Sequence, residues 1–540
     1  MSEPAAQAVP EAQAPAGGDG ALPHRQILLV IYGLMLGMLL AALDMTIMST
    51  ATRTIADQLH GQTIQAWVTT AYLITSTIAT PLYGKLSDIY GRKPMYMTAI
   101  GLFLTGSVLA GISNSMYELA AFRAVQGLGA GGLMSLALAI IADIVSPRER
   151  GRYMGYFMAV WGTSSVIGPL VGGFFAGAGT VAGIAGWRWV FLVNIPVGIL
   201  ALVVVFRYLN VPHNKVDHRI DFWGAGALSA GLIPLLIVSE QGREWGWGSA
   251  AALTMYAIGA IGLAAFVFVE SKMGDEALIP LRLFRFSVFS LSNVINFIMG
   301  LGMFGMMMSL PLYLQIVKGA SPTEAGLLTL PMTAGILVSA MTSGRAIAKT
   351  GRYKVFPVVG LGLVAAMLFL FGQIGTDTPL WQTMTLMLFA GAGLGLCMQT
   401  LVLSVQNVVP PKDMGVATSS ATFFRSIGGT VGTAVFLSIL FTVVIDQLAG
   451  FAGARGGGKL DLNDTSFLAR MSPEQKRPIL DAFSHGIDVV FTVGGFVILV
   501  AFVLIWFLKE VPLSMKSGMQ RRADEDGAVS TPDAAPASVS

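Results

Sequence analysis

The 540-residue sequence predicts an all-α integral membrane protein with about fourteen spanning helices, two six-helix bundles and an inserted pair between them. Three observations predict it. The chain is 54% hydrophobic and 12% charged, with a mean hydropathy of +0.70, whereas soluble chains carry roughly 25% charged residues. It contains many uncharged apolar runs of about 18 residues or more, long enough to cross a bilayer as helices. Its two halves also repeat one another's landmarks in the same order.

The runs begin near Ile27, Ala66, Met95, Tyr117, Tyr153 and Trp189, then near Ile220 and Ala251. Six more begin near Val288, Glu324, Val355, Leu380, Gly415 and Gly486. Each is expected as a helix, because a backbone in lipid must satisfy its own hydrogen bonds. Basic residues crowd the loops after even-numbered spans: Lys85, Arg92 and Lys93; Arg148, Arg150 and Arg152; Arg345, Lys349, Arg352 and Lys354. By the positive-inside rule this puts both termini in the cytoplasm of a multi-pass cell-membrane protein. The expected organisation is a cytoplasmic tail at 1–24, a first bundle at 25–210 and an inserted pair with linker at 211–284. A second bundle follows at 285–510 with an outer loop at 447–484, and then a tail at 511–540. Residues 1–23 read as a disordered tail and not a signal peptide, since they lack a basic n-region. Ser472-Pro473-Glu474-Gln475 reads as a cap and first turn of a short external helix leading into the last span.

The repeat is explicit. Ile144 to Gly151, with Ser146-Pro147-Arg148, is echoed by Val408 to Gly415, with Pro410-Pro411-Lys412. Gly127-Leu-Gly129-Ala-Gly131 is echoed by Gly391-Ala-Gly393-Leu-Gly395, and Gly84 to Arg92 by Gly344 to Arg352. The nearly constant offset makes the bundles parallel repeats, the plan of secondary transporters that hold cargo at mid-membrane between two halves. No G-x-x-x-x-G-K-[ST] loop is present, so ATP-driven transport is not supported. Without a metal-ligand cluster or nucleophile–base pattern, an enzyme is not expected either, nor a cofactor or metal. The single cysteine, Cys397, lies in an apolar run and cannot form an intramolecular disulfide. The basic residues sit at helix ends, so the net charge of +3 does not indicate nucleic acid.

Gly84-Lys-Leu-Ser-Asp88-Ile-Tyr-Gly91-Arg92-Lys93 joins spans two and three. Its glycines permit a tight turn, and Asp88 can sit at a helix N-terminus or pair with a basic residue. With Asp143 at the end of span four, it reads as a cytoplasmic latch made in one state and broken in another. The decapeptide resembles the G-x-x-x-D-R-x-G-R-R signature of the major facilitator superfamily, with Ile89 where the signature has arginine. The resemblance covers the chain from Arg25 to Lys509, and the inserted pair narrows it to the fourteen-helix drug:proton antiporters of multidrug efflux type. It implies the major facilitator fold, with its two bundles related by a pseudo-two-fold axis.

Within span one, Leu43-Asp44-Met45-Thr46-Ile47 resembles that family's L-D-x-T-I motif. A carboxylate within hydrocarbon costs at least about 2.5 kcal/mol and marks an ion or proton path by default. Low dielectric favours the neutral form of such a group, and a nearby cation favours the charged form. Arg123 is its expected partner: six residues into span four, it lies on the order of 10 Å below the outer face at ~1.5 Å per residue, at the depth of Asp44. Arg123-Ala-Val-Gln126-Gly-Leu-Gly resembles the family's R-x-x-Q-G-x-G, whose arginine is assigned to proton transfer. Since arginine does not deprotonate, its expected role is to tune Asp44. Gly168-Pro169-Leu-Val-Gly172-Gly173 in span five resembles the G-P-x-x-G-G of the family's exporters.

The expected cavity lining is Thr46, Trp67, Tyr72, Gln126, Asn293, Asn296, Phe304, Tyr313, Gln315 and Gln399. Arg425 joins them near mid-membrane, as substrate contact or as gate. Met303, Met306, Met307 and Met308 suit a promiscuous apolar pocket or ordinary packing. Together these readings give a proton-driven antiporter that exports hydrophobic or amphiphilic, cationic drugs. An exporter of a lipid, peptide or metabolite is the alternative. Its expected partners are small hydrophobic substrates, protons and the bilayer, for a monomer; the sequence is silent on a periplasmic adaptor.

Overall fold

The computed structural model describes residues 24–61, 64–210, 221–452 and 473–521. Its helices are α1 (His24–Gln58), α2 (Gln65–Tyr90), α3 (Arg92–Ile112), α4 (Met116–Ile144), α5 (Pro147–Gly177), α6 (Trp189–Leu192), α7 (Asn194–Tyr208), α8 (Phe222–Trp245) and α9 (Ala250–Met273). Then come α10 (Ser287–Leu312), α11 (Pro322–Leu328), α12 (Leu330–Thr350), α13 (Val355–Phe371), α14 (Leu380–Val408), α15 (Met414–Ala452) and α16 (Pro473–Ile505). A two-stranded hairpin, β1 (Thr180–Val181) with β2 (Ile184–Ala185), follows α5.

Local sequence fixes many boundaries. Ser115, Ser146 and Ser249 each cap a helix by accepting from a backbone N–H three residues on, which satisfies one of the donors a helix start leaves open. Ser321 and Glu324 form a reciprocal capping box before α11. Gly91 and Gly351 end α2 and α12 with positive φ, 96° and 71°, where a side chain would be strained.

Among the described residues, twelve stretches are long and apolar enough to cross a bilayer. Helices α2 and α13 are not among them. Helix α13 has 17 residues. Helix α2 is long enough at 26 residues but carries Gln65, five threonines and serines between Thr69 and Thr77, Lys85 and Asp88, polarity that suits a helix facing other helices more than lipid.

Helices α1 to α5 and α7 pack on one another, with α4 between α2 and α3 and with α1 against α5 and α7. Helices α10 and α12 to α16 make a second group, α10 against α15 and α14 between α12 and α13. Each group has its own apolar core, one around Tyr96, Phe103, Leu133 and Phe157, the other around Phe371, Leu394, Phe436 and Phe491. Helices α8 and α9 pair with each other and touch the rest lightly, through α2 and α15. The groups meet through α2 on α15, α5 on α12 and α4 on α15.

Two expectations change. The external turn before the last span is no separate helix: α16 runs unbroken from Pro473, and Ser472 lies outside the described residues. Pro478 lies just past the first turn of α16, which continues through it without the N–H that would bond the Glu474 carbonyl. Residues 511–521, expected to begin a tail, lie across both groups. Asn407 on α14 donates to the carbonyls of Val511 and Pro512 at 3.1 Å each, and the Tyr353 hydroxyl accepts from the Val511 N–H. Further on, Met519 packs on the core of the first group.

Candidate functional site

Asp44 is completely buried, and so are the groups around it. Arg123 of α4 is 1% exposed and forms an ion pair with the Asp44 carboxylate. Arg123 also donates to Gln126 Oε1 at 2.8 Å, and Gln126 Nε2 donates to the other carboxylate oxygen at 2.8 Å. Gln126 is one turn along α4 from Arg123, so a single helix face presents both donors. Tyr72 of α2 lays its ring 4.2 Å from the Arg123 guanidinium, a cation–π contact. Four sequence-predicted residues thus converge: Asp44, Tyr72, Arg123 and Gln126.

Two further residues complete the cluster. Asn194, the first residue of α7, donates to Asp44 at 3.2 Å and to the Ser107 hydroxyl at 3.0 Å. Ser107 of α3 in turn donates to the Phe191 carbonyl at 2.9 Å. Both are fully buried. A Cβ on neighbouring Gly106 would sit 2.5 Å from the Gln126 backbone nitrogen, so glycine is what lets α3 come close enough. Sequence reasoning missed Asn194 and Ser107. No signal in the sequence singles them out; the break between α6 and α7, visible only in the fold, puts an amide at a helix start inside the apolar layer.

Thr46 is occupied by helix contact: its hydroxyl reaches the Ser164 carbonyl of α5 at 3.0 Å. Gly168 faces Thr46, and Gly172 faces Ile47 and Thr50. The Gly168-Pro169-Leu-Val-Gly172-Gly173 run therefore packs α5 tightly on α1, one turn from Asp44, although Gly173 itself meets nothing. Pro169 lies inside α5, which continues through it.

The remaining predicted lining residues do not gather at Asp44. Trp67 is half-buried in the first turn of α2. Asn293 and Asn296 are 1% and 0% exposed, and their amide atoms have no hydrogen-bond partner among the described residues. Phe304 lies over Gly429 on α15. Tyr313 is turned into the second group's core, its hydroxyl donating to the Gly375 carbonyl at 3.0 Å, while Gln315 is exposed. Met303 and Met306 are buried, and Met307 and Met308 are exposed. Gln399 is half-buried and lines a small cleft with Arg150, Met154, Ser343 and Gln406. Arg425 is half-buried, about 16 Å along α15 from Met414 at the usual rise. A second carboxylate also lies within an apolar span: Asp488 on α16, half-buried, with one oxygen unpartnered among the described residues. Asp44 is therefore not alone at depth.

At the charged ends of the helices a second cluster forms. Arg92 pairs with Asp88 and with Asp143, each at 2.7 Å. Asp88 also accepts from the backbone N–H groups of Gly415 at 3.2 Å and Val416 at 3.0 Å, so it caps the start of α15 across the boundary between groups. Gly84 lies against Gly415, and Gly151 against Gly344. Arg148 donates to the last carbonyls of α12, those of Ala348 at 2.9 Å and Lys349 at 3.0 Å. Lys93 points elsewhere, holding the Phe206 carbonyl of α7 at 2.6 Å. The α9–α10 linker joins in: Lys85 donates to the Asp275 carbonyl at 2.6 Å, and Arg282 clasps Asp413 at 2.8 and 2.9 Å. Burial works against the charge on Arg282, but Asp413 and Asp275 outweigh it and hold the guanidinium above its usual range.

A family model described as the Major Facilitator Superfamily matches residues 34–433. The chain is 36% identical over 517 residues to an uncharacterised MFS-type transporter of Mycobacterium tuberculosis (strain ATCC 25618 / H37Rv), covering 95% of this chain and 74% of that protein. It is 33% identical over 528 residues to the multidrug transporter protein MdtP of Bacillus subtilis (strain 168), covering 93% and 96%. To the tetracycline resistance determinant of Streptomyces rimosus it is 40% identical over 318 residues, covering 54% and 92%. Among solved structures it is similar to the human organic anion transporter MFSD10, with a TM-score of 0.61 at 17% identity, covering 90% of this chain and all of that one. These matches, with the all-helical fold, establish that the chain is a multi-pass membrane transporter belonging to the major facilitator superfamily.

Proposed function

We propose that the protein exports hydrophobic or amphiphilic, cationic drugs in exchange for protons. The names of its relatives support drug efflux: MdtP and the Streptomyces protein are joined by multidrug resistance protein 3 of Bacillus subtilis (strain 168), 31% identical over 507 residues. The coupling reading rests on one observation, the fully buried Asp44 paired with Arg123 and clasped by Gln126. Two charges removed from water cost several kcal/mol each, and such a pair in a membrane interior marks an ion path. Protonating Asp44 would cancel its attraction for Arg123 and loosen the clasp. Losing that proton on the other side would restore it. A cationic cargo would compete with the guanidinium for the carboxylate, so that proton and drug exclude one another.

In this reading all fourteen segments cross the membrane, α2 and α13 included, with both termini cytoplasmic and the chain acting as a monomer. The two groups are bundles at 25–210 and 285–510 related by a pseudo-two-fold axis. The repeat supports it: Gly84 matches Gly344 and Gly151 matches Gly415, and the contact of Gly84 with Gly415 is mirrored by that of Gly344 with Gly151. The charged cluster is then the cytoplasmic latch, closed here, and its opening would expose the cavity to the cell interior. No cofactor is invoked, the proton gradient being the drive. Arg425 favours a second reading, in which the cargo is a lipid, peptide or metabolite with an acidic group: among the described residues its guanidinium has no hydrogen-bond or ion-pair partner.

The test is Asp44→Asn in proteoliposomes. Uphill efflux of a cationic dye and substrate-induced proton release should both be lost, while insertion and folding persist. Undiminished pH-driven efflux would sink the coupling reading.

A further inference from the structure

Asn194 meets Asp44 with only half of its amide. Its Nδ2 is used twice, on the carboxylate at 3.2 Å and on Ser107 at 3.0 Å. Its Oδ1 is buried without a hydrogen-bond partner among the described residues. A buried amide oxygen left unpaired costs about 1–3 kcal/mol, and such an orphan in a native protein calls for an explanation.

The surroundings supply one. With Asp44 charged, every contact it makes is with a donor: Arg123, Gln126 and Asn194. Once protonated, the carboxyl gains an O–H that needs an acceptor within a fully buried cluster. The Arg123 guanidinium has no acceptor, and Gln126 Oε1 is taken by Arg123 at 2.8 Å. The only titratable groups placed against Asp44 among the described residues are Arg123 and Tyr72. The Tyr72 hydroxyl is itself unpartnered, but the ring is engaged with Arg123 by its face. The unused Asn194 oxygen is the remaining acceptor. Rotating the amide by half a turn about its Cβ–Cγ bond exchanges Oδ1 and Nδ2, and places the oxygen where Nδ2 now meets Asp44. Ser107 can follow only by swinging its one hydrogen from the Phe191 carbonyl to Oδ1.

We propose that Asn194 is a positioning residue that tracks the protonation state of Asp44, donating through Nδ2 to the carboxylate and accepting through Oδ1 from the carboxylic acid. The inference rests on the reading of Asp44 as the proton carrier. One proton arrives from water and one O–H bond forms on Asp44. The same bond breaks when the proton leaves to water on the other side, and Asn194 gains and loses nothing. By stabilising both forms in turn, the amide keeps the closed cluster from trapping either one.

The test uses the full chain reconstituted in lipid and infrared difference spectra between acid and alkaline pH. The Asp44 acid C=O stretch is the band that Asp44→Asn removes. In Asn194→Leu, which can neither donate nor accept, that band should move to higher wavenumber as its O–H loses its acceptor. Uphill efflux should fall by about tenfold, the weight of one hydrogen bond to a charged group. Asn194→Ala, too small to overpack the site, is read in parallel and should move the band in the same direction. An unchanged band and an unchanged pH profile of efflux in both variants would overturn the role of Asn194 while leaving Asp44 as carrier. If no band disappears in Asp44→Asn and uphill efflux survives that change, the coupling reading itself fails, and the inference with it.

Discussion

Arg123 holds four contacts at once: the Asp44 carboxylate, the Gln126 amide oxygen, the Val68 carbonyl at 3.4 Å and the face of Tyr72. Removing its charge leaves a bare carboxylate buried among helices. Arg123→Gln should therefore destabilise the folded protein by about 3–5 kcal/mol, the cost of breaking a buried pair from one side. Asp44→Asn combined with Arg123→Gln neutralises both partners and should recover most of that loss, because a matched neutral pair strands no charge. Thermal unfolding in detergent reads both effects, and neither variant should drive uphill efflux. If the double variant is no more stable than the single one, the pair is not the energetic unit described. Arg123→Lys is a sharper probe still: it keeps the charge and loses the planar fork that serves carboxylate and amide together. Efflux should then be impaired with stability largely kept.

At the scale of elements, the decisive contacts are helices that touch backbone to backbone. A β-carbon on Gly84 would lie 2.8 Å from the Gly415 carbonyl oxygen, and one on Gly151 would lie 2.8 Å from the Gly344 Cα. Neither neighbour can yield, since both are main chain. Gly84→Val and Gly151→Val should each prop the charged ends of the two groups apart and leave each group's own core intact. Spin labels placed across that end should report longer distances in both variants, with efflux lost. A closed distance in either would mean that this contact does not set the closure. Asp88→Asn acts at the same place more gently. It removes the anion from the start of α15 and one partner from Arg92, and a helix-terminal charge of this kind is worth about 0.3–1 kcal/mol, more when partly buried. The same distance measurement should show partial opening. Much of this was legible in the chain. The Asp44–Arg123 meeting followed from counting residues down two helices from one membrane face, and the Asp88–Arg92–Asp143 cluster from a carboxylate and glycines beyond what a topogenic loop needs. Asn194 and Ser107 were not legible, because polar residues in apolar spans are common and only the packing of α3 and α7 against α1 and α4 picks out these two. Asn293 and Asn296 were read from their polarity as cavity wall; both amides are buried among helices without a hydrogen-bond partner among the described residues.

For the molecule as a whole, closure at the charged end is held by more than helix contacts. Residues 511–521 leave α16 in the second group and finish on the first. Asn407 grips the segment at Val511 and Pro512, Tyr353 takes the Val511 N–H, and the Ser514 N–H reaches Asn407 at 3.4 Å. Arg148 meets Met515 at 3.4 Å, and Gly518 lies against Ala142 and Asp143. Composition alone hid this, since Ser, Lys, Met and Gly in an unpatterned run give no sign of docking, and the partners are helix ends far apart in sequence. A strap joining two bodies favours their joined state over any separated one by whatever it gains there and loses on opening. The bonds to Asn407 and Tyr353 only anchor it to the second group; what opening would break is its hold on the first, the Arg148–Met515 hydrogen bond at about 0.5–1.5 kcal/mol together with the packing of Gly518 and Met519, and every 1.4 kcal/mol is about tenfold in population. A chain ending at Glu510 should therefore shift the equilibrium towards the form open at the charged end by at least about tenfold. Distance distributions between labels on α5 and α12 would register that as growth of a longer component. The groups would keep their separate cores, so thermal stability should change little. A distribution identical to that of the full chain would show that the segment only rests on the surface it touches, and that Asp88, Arg148 and the paired glycines hold the closure without it.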